Sequence, residues 1–265
     1  MMQSVAKEID RLVWAVGDEA RLRHQRHQMP ASDVLEPALF GPLLNLVPFI
    51  DDLTESFVRR RYIYRPSDTM DTFIAAVVDR GLFHQDGDVL VPSPDLAPIT
   101  LEIGATTRNI SRQLWGEHLT TAQSSSASAR AVLERSPIRD GLARAAVEAA
   151  EPDDKFHRLQ QRLAGLRLLR NEAHVDAWRP LGLRPSDVEA LTSAWSGSML
   201  QAPLVVSPRL EELGFAHEGE VTSDGIAARQ RIEDQTDAGV ADAFSTIDLA
   251  AFFDELTSLP GSPQR

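Results

Sequence analysis

The sequence contains no cysteine. That excludes a disulfide framework, a zinc–thiolate centre, a cysteine nucleophile and a cysteine-held iron–sulfur cluster. Lysine is nearly absent: Lys7 and Lys155 are the only two, and arginine carries the positive charge. Such usage points to codon bias rather than to a function. No uninterrupted apolar run approaches the roughly 20 residues that a membrane-spanning helix needs. The opening "MMQSVAKEIDRL" has no basic stretch followed by an apolar one, so no signal peptide is expected and a cytoplasmic location is. Also missing are a Gly-rich phosphate loop, a Gly-x-Ser-x-Gly elbow and a His-Glu-x-x-His pair. An enzyme therefore has no readable motif here, and catalysis stays uncertain rather than excluded.

What is present fits a globular chain. Its 265 residues allow one large domain or two small ones. Apolar residues make up 43% and charged residues 25%, enough for a core without staples. The formal net charge is -12. A nucleic-acid partner would then require a local basic face, because binding runs on displacing counterions from phosphates.

Apolar periodicity reads as mostly helical. Helices are expected over 4–29, 32–46, 49–64 and 67–81, then a tight hairpin around Asp86-Gly87, then a helix to about Trp115. Residues 120–137, "TTAQSSSASARAVLERSP", are rich in Ser, Thr and Ala. They are the best candidate for a linker, one that can also be helical. Helices follow over 138–150 and 153–178. "PSDVEALTSAW" carries a Ser186-to-Glu189 capping box, "SPRLEELG" is a helix closed by Gly214, and a second hairpin turns at Glu218-Gly219.

Two stretches repeat one pattern. "LRHQRH" (residues 22–27) and "LRNEAH" (169–174) both read Leu-Arg, three residues, His. Each is followed by a proline and a Ser-Asp-Val. Each half then runs to a Gly-closed helix, two apolar residues, a His (His84, His217) and an acidic-Gly-acidic turn. The expected fold is mainly α. It comprises two winged helix-turn-helix repeats, a pseudo-dimer in one chain, with long packing helices and two small β-hairpin wings. The expected boundaries are 1–119 for the N-terminal repeat, 120–137 for the linker and 138–265 for the C-terminal repeat.

The segments "LRLLRNEAHVDAWRPLGLRPSDVEALTSAW" and "LEELGFAHEGEVTSDGIAARQRIEDQTD" resemble a family of actinobacterial proteins known as SalK-like or simply as a helix-turn-helix family. The second segment also resembles the wing and following helix of MarR-type regulators, where a Thr-x-x-Gly, here Thr222 to Gly225, follows the wing strand. The resemblance is good over the last half of the chain and vaguer over the first. It implies a regulator-like fold rather than a particular job.

Winged-helix regulators place the third helix in the major groove and the wing on the backbone. Residues 66–95, which would supply both in the first half, hold six aspartates and one arginine. Residues 196–225 hold five acidic residues and Arg209. DNA is therefore a disfavoured partner. The leading expectation is a small anionic or aromatic ligand, bound in a cavity between the halves. Arg23 and Arg170 would hold its charge, His27 and His174 would serve as partners, each four residues on, and Trp178 would pack against it. The contrasting expectation is a biosynthetic enzyme using His27 or His174 as acid or base there. The bland alternative is that these are surface residues repeated by ancestry. "RRRYIYR" offers Arg59, Arg61 and Arg65 as a second anion site, although arginines at a helix C-terminus also simply suit its dipole. No metal is expected, a weak alternative being His24, His27 and His174. The cofactor is unknown, no membrane is involved, and a homodimer stays open.

Overall fold

Prolines and small polar caps set where the helices begin. The structure is a computed structural model and describes residues 1–65, 67–136, 141–196 and 206–262. The first helix, α1 (Met2–Gln25), buries Val5, Ile9, Leu12, Val16 and Ala20 along one stripe. It stops earlier than the periodicity suggests, because His27 takes the left-handed conformation (φ 52°). The expected helix over 32–46 is instead a 3-10 turn (Pro30–Asp33) and then α2 (Pro37–Leu46), which starts on a proline whose missing N–H costs nothing at that position.

The expected helix over 49–64 is also split. A 3-10 turn (Val47–Asp52) leads to two extended residues and then to α3 (Glu55–Arg61). The break has two causes. Thr54 caps α3 by accepting the Phe57 N–H at 3.0 Å, a bond worth about 1 kcal/mol. The backbone around Thr54 is also recruited by a hairpin further along the chain. After α4 (Ser67–Asp79), β1 (Phe83–Asp86) and β2 (Val89–Pro92) pair antiparallel with Phe83 opposite Pro92. Leu53–Glu55 runs along the outer edge of β2: Leu90 donates to the Leu53 carbonyl at 2.9 Å and Glu55 to the Asp88 carbonyl at 2.8 Å.

Next come α5 (Leu96–Trp115) and α6 (Leu119–Arg135). Residues 120–135, read as a linker, are thus one helix; residue 137 lies outside the described residues. Further on are α7 (Gly141–Glu148), α8 (Lys155–Trp178), α9 (Pro185–Ser196) and α10 (Pro208–Glu212). The Ser186–Glu189 capping box is not used. The helix begins one residue earlier, and Asp187 reaches back to accept the Arg184 N–H at 2.7 Å. The second hairpin pairs β3 (Ala216–His217) with β4 (Glu220–Val221), and α11 (Ser223–Phe244) and α12 (Leu249–Ser258) complete the described helices.

The chain divides into two compact units. Unit 1 is Met1–Leu169 with Ala243–Arg265, and unit 2 is Arg170–Asp242. The divisions fall inside α8 and at the end of α11, not at 120–137. Unit 1 is closed by its C-terminal segment: Arg11 Nη2 donates to the Leu256 and Leu259 carbonyls, each at 2.9 Å, and Trp115 Nε1 to the Pro260 carbonyl at 3.1 Å.

The helix before each hairpin ends the same way. Gly81 and Gly214 are left-handed (φ 68° and 71°). Gly81 donates to the Val78 carbonyl and Leu82 to that of Val77; Gly214 donates to Glu211 and Phe215 to Leu210. Both are the 5→2 and 6→1 pair of a Schellman closure. The turns differ. The first hairpin turns on Gly87-Asp88, with only Gly87 at positive φ, and the second on Glu218-Gly219, with both positive. The turn expected at Asp86-Gly87 is therefore one residue late.

Candidate functional site

Arg61 ends α3, where the helix dipole favours a cation. Unlike Arg59 it has no anionic partner among the described residues. Arg59 is held by Glu55 and Asp71 on the surface, and Arg65 is exposed. The Arg61 Nε is fully buried without a hydrogen-bond acceptor among the described residues. The guanidinium lies 5.6 Å from the Tyr62 ring. Burial is the main influence on Arg61 and lowers its pKa; Tyr62 raises it and the Arg167 cation lowers it again. No carboxylate contributes. Tyr62 is fixed by donating its hydroxyl to the Pro42 carbonyl at 3.0 Å.

Arg61 faces a cavity of about 60 Å3 inside unit 1. Val13 and Val16 of α1, Phe49 of the 3-10 turn, and Ile103 of α5 give it apolar walls, while Asn45 and His157 add polar ones. Burial lowers the His157 pKa, against the Asp154 carboxylate and with Arg108. His157 sits in the first turn of α8, where Asp154 accepts its backbone N–H at 3.0 Å. The ring is therefore neutral at pH 7.

The Arg-His motifs end differently. Because α1 stops at Gln25, Arg23 and His27 do not share a helix face. Arg23 donates to Glu19 (2.9 Å) and Gln113 (2.5 Å). His27 is exposed, with Nδ1 3.7 Å from Asp33. His24 is the buried histidine: it stacks on Phe40 at 4.1 Å and its Nε2 bonds the Leu35 carbonyl at 2.9 Å. Among the described residues no three His, Asp or Glu side chains are placed to hold a metal ion.

Arg170 and His174 lie on α8 within unit 2, in a buried polar cluster with residues of α11 that periodicity did not single out. Arg170 donates to Glu233 (2.5 Å) and Asp237 (3.2 Å). Arg229 pairs with the other oxygen of Glu233 at 2.5 Å, donates to Thr192 at 2.6 Å and lies over the Trp195 ring. Thr236 donates to the Ile232 carbonyl, so at 3.0 Å it accepts from His174 Nδ1–H. Burial drops the His174 pKa to about 4; Arg229 and Arg170 work in the same direction and Glu233 opposes them. Trp178 is buried at the end of α8. The one signal in the sequence was the four-residue step Arg229, Glu233, Asp237, which puts a cation and two carboxylates on one helix face.

The chain is a member of the helix-turn-helix family: that family's model matches residues 101–260, more than half of the chain. No curated protein and no solved structure matches it. Among the described residues no helix is long and apolar enough to cross a membrane.

Proposed function

We propose that the protein is a regulator-like, tandem winged-helix protein that answers to a small anionic ligand and does not grip DNA through α4 and the first hairpin. The outward face of α4 carries the reading. Met70, Phe73, Ile74 and Val77 point inward, leaving Asp68, Asp71 and Asp79 exposed. The nearest cations are already neutralised, Arg59 by Glu55 and Asp71 and Arg80 by Glu36. Asp88, at the hairpin turn, bonds Ser56 at the start of α3. A phosphate backbone laid here would meet carboxylates. The tandem arrangement is supported by the matched Schellman closures and by Leu53–Glu55 lying where a winged helix carries its third strand. The MarR-type likeness is supported by the Thr222–Gly225 contacts: Thr222 caps α11 by accepting the Gly225 N–H at 3.2 Å.

The test is fluorescence anisotropy with a labelled duplex between 50 and 200 mM salt. The expected result is no salt-dependent binding. Binding that falls steeply with salt, and weakens on Arg59→Ala, would overturn the reading. The enzyme alternative is favoured by one observation, the burial that keeps His174 neutral down to about pH 4. His174→Gln would then abolish a turnover without unfolding the chain.

A further inference from the structure

We propose that the cavity at Arg61 is a binding site for a small monocarboxylate, its head on the Arg61 guanidinium and its tail against Val13, Val16 and Ile103. This rests on the ligand-responsive reading above and names its ligand class.

Three observations converge. First, Arg61 is a cation whose buried Nε has no acceptor among the described residues. A guanidinium offers two parallel donors matched to a carboxylate. Other cations at this end of unit 1 have found internal partners: Arg167 bonds Asp10 at 2.7 Å and Arg112 bonds Asp154 at 2.5 Å. Second, the walls are mostly apolar. The aliphatic part suits a short hydrocarbon tail, while Asn45, Thr107, His157, Gln160 and Gln161 make up the polar part and none of the lining side chains is anionic. Third, the volume fits. A water needs about 10–15 Å3 in this measure, so 60 Å3 holds roughly four to six water-sized groups. Propionate and butyrate are of that size.

Gly104 lets the site be closed without touching the cation. It lines the cavity, and a Cβ built there meets nothing within 4 Å. Gly104→Leu therefore grows a side chain into the space, on a helix that tolerates leucine better than glycine.

The experiment is isothermal titration of the full chain with sodium propionate and sodium butyrate. Propionamide serves as the uncharged counterpart and inorganic phosphate as the second anion. Saturable binding of both carboxylates is expected, at least tenfold weaker with propionamide and with Arg61→Gln. It is expected to be lost in Gly104→Leu with the circular dichroism unchanged, and intact in Arg59→Gln. Equal binding of the amide, phosphate binding that survives Gly104→Leu, or no saturation by either carboxylate overturns the proposal. The DNA titration does not involve Arg61, so the site and the functional reading fail separately. Carboxylate binding beside salt-dependent DNA binding removes only the latter. Neither ligand nor DNA binding removes the site and leaves the acidic α4 face as found.

Discussion

Replacing Arg61 by methionine is expected to make the protein more stable and ligand-blind. The Arg61 Nε is buried without an acceptor, and an unsatisfied buried polar group costs about 1–3 kcal/mol. Methionine is of similar length, carries no charge and adapts to irregular apolar space such as that beside Val16 and Phe49. Without ligand, Arg61→Met should therefore gain about 1–2 kcal/mol, roughly 2–8 °C in Tm for a chain of this size. Urea melts would show a higher midpoint at an unchanged slope. Ligand reverses the order. At a hundred times its Kd, propionate adds about 2.7 kcal/mol to the wild type and nothing to the variant. Crossing curves are thus the signature. A variant destabilised by more than 1 kcal/mol without ligand would mean that Arg61 already has a partner, and would refute both the energetics and the site.

Other outcomes follow from the same contacts. Burial drops His174 from 6.5 to about 4, so between those values the unfolded chain binds a proton that the folded one refuses. The stability this supplies is complete above pH 6.5 and is lost as pH falls to 4. By pH 5 the loss is about 2 kcal/mol; urea melts at pH 7 and 5 should show it in the wild type and not in His174→Gln, and equal losses would exclude His174. Arg170→Met leaves the half-buried Asp237 without its cation and takes one of two cations from the buried Glu233. It should cost about 3 kcal/mol by chemical denaturation, the low end for a broken buried pair because Arg229 still holds Glu233. Gly225→Ala puts a Cβ 2.2 Å from the Phe215 carbonyl oxygen and should lower stability by about 2 kcal/mol or more in urea melts, whereas Gly104→Ala, with open space around it, should gain about 0.5–1 kcal/mol by the same measurement.

The helical class, the hairpins and the glycine closures were legible because each rests on local chemistry. Gly81 and Gly214 stand where a left-handed residue ends a helix, and such a residue is nearly always glycine. The errors arose where a distant segment competes for the backbone. Leu53 and Thr54 read as helical until Leu90 and Val89 pair with them. Residues 120–135 look like a linker because Ser and Ala dominate, but buried Ala122, Ser125, Ala129, Val132 and Leu133 form a small-residue face that lets α6 pack closely. Small side chains carry little periodicity signal, so the helix was hidden by its own packing.

The candidate site was half legible for a related reason. "LRHQRH" and "LRNEAH" are spelled alike, but burial follows the phase of each helix rather than the spelling. In α1 the stripe Val5, Ile9, Leu12, Val16, Ala20 advances by three and four and lands on His24, leaving His27 beyond the helix end in solvent. In α8 the four residues from Glu172 to Val175 are all buried, so the helix has no outward face there to carry its polar groups. His174 must then find Thr236, and Arg170 must find Glu233 and Asp237, at the expense of any outside ligand. Arginine composition cannot distinguish a cation paired with carboxylates, as Arg170 is although its Nε is also left without an acceptor, from Arg61, because the distinction lies in what the partner helix offers. Around Arg61 the cavity is walled by valines, a phenylalanine, Asn45, Gln160, Gln161 and a neutral histidine, none of them anionic, so its Nε still has a bond to make.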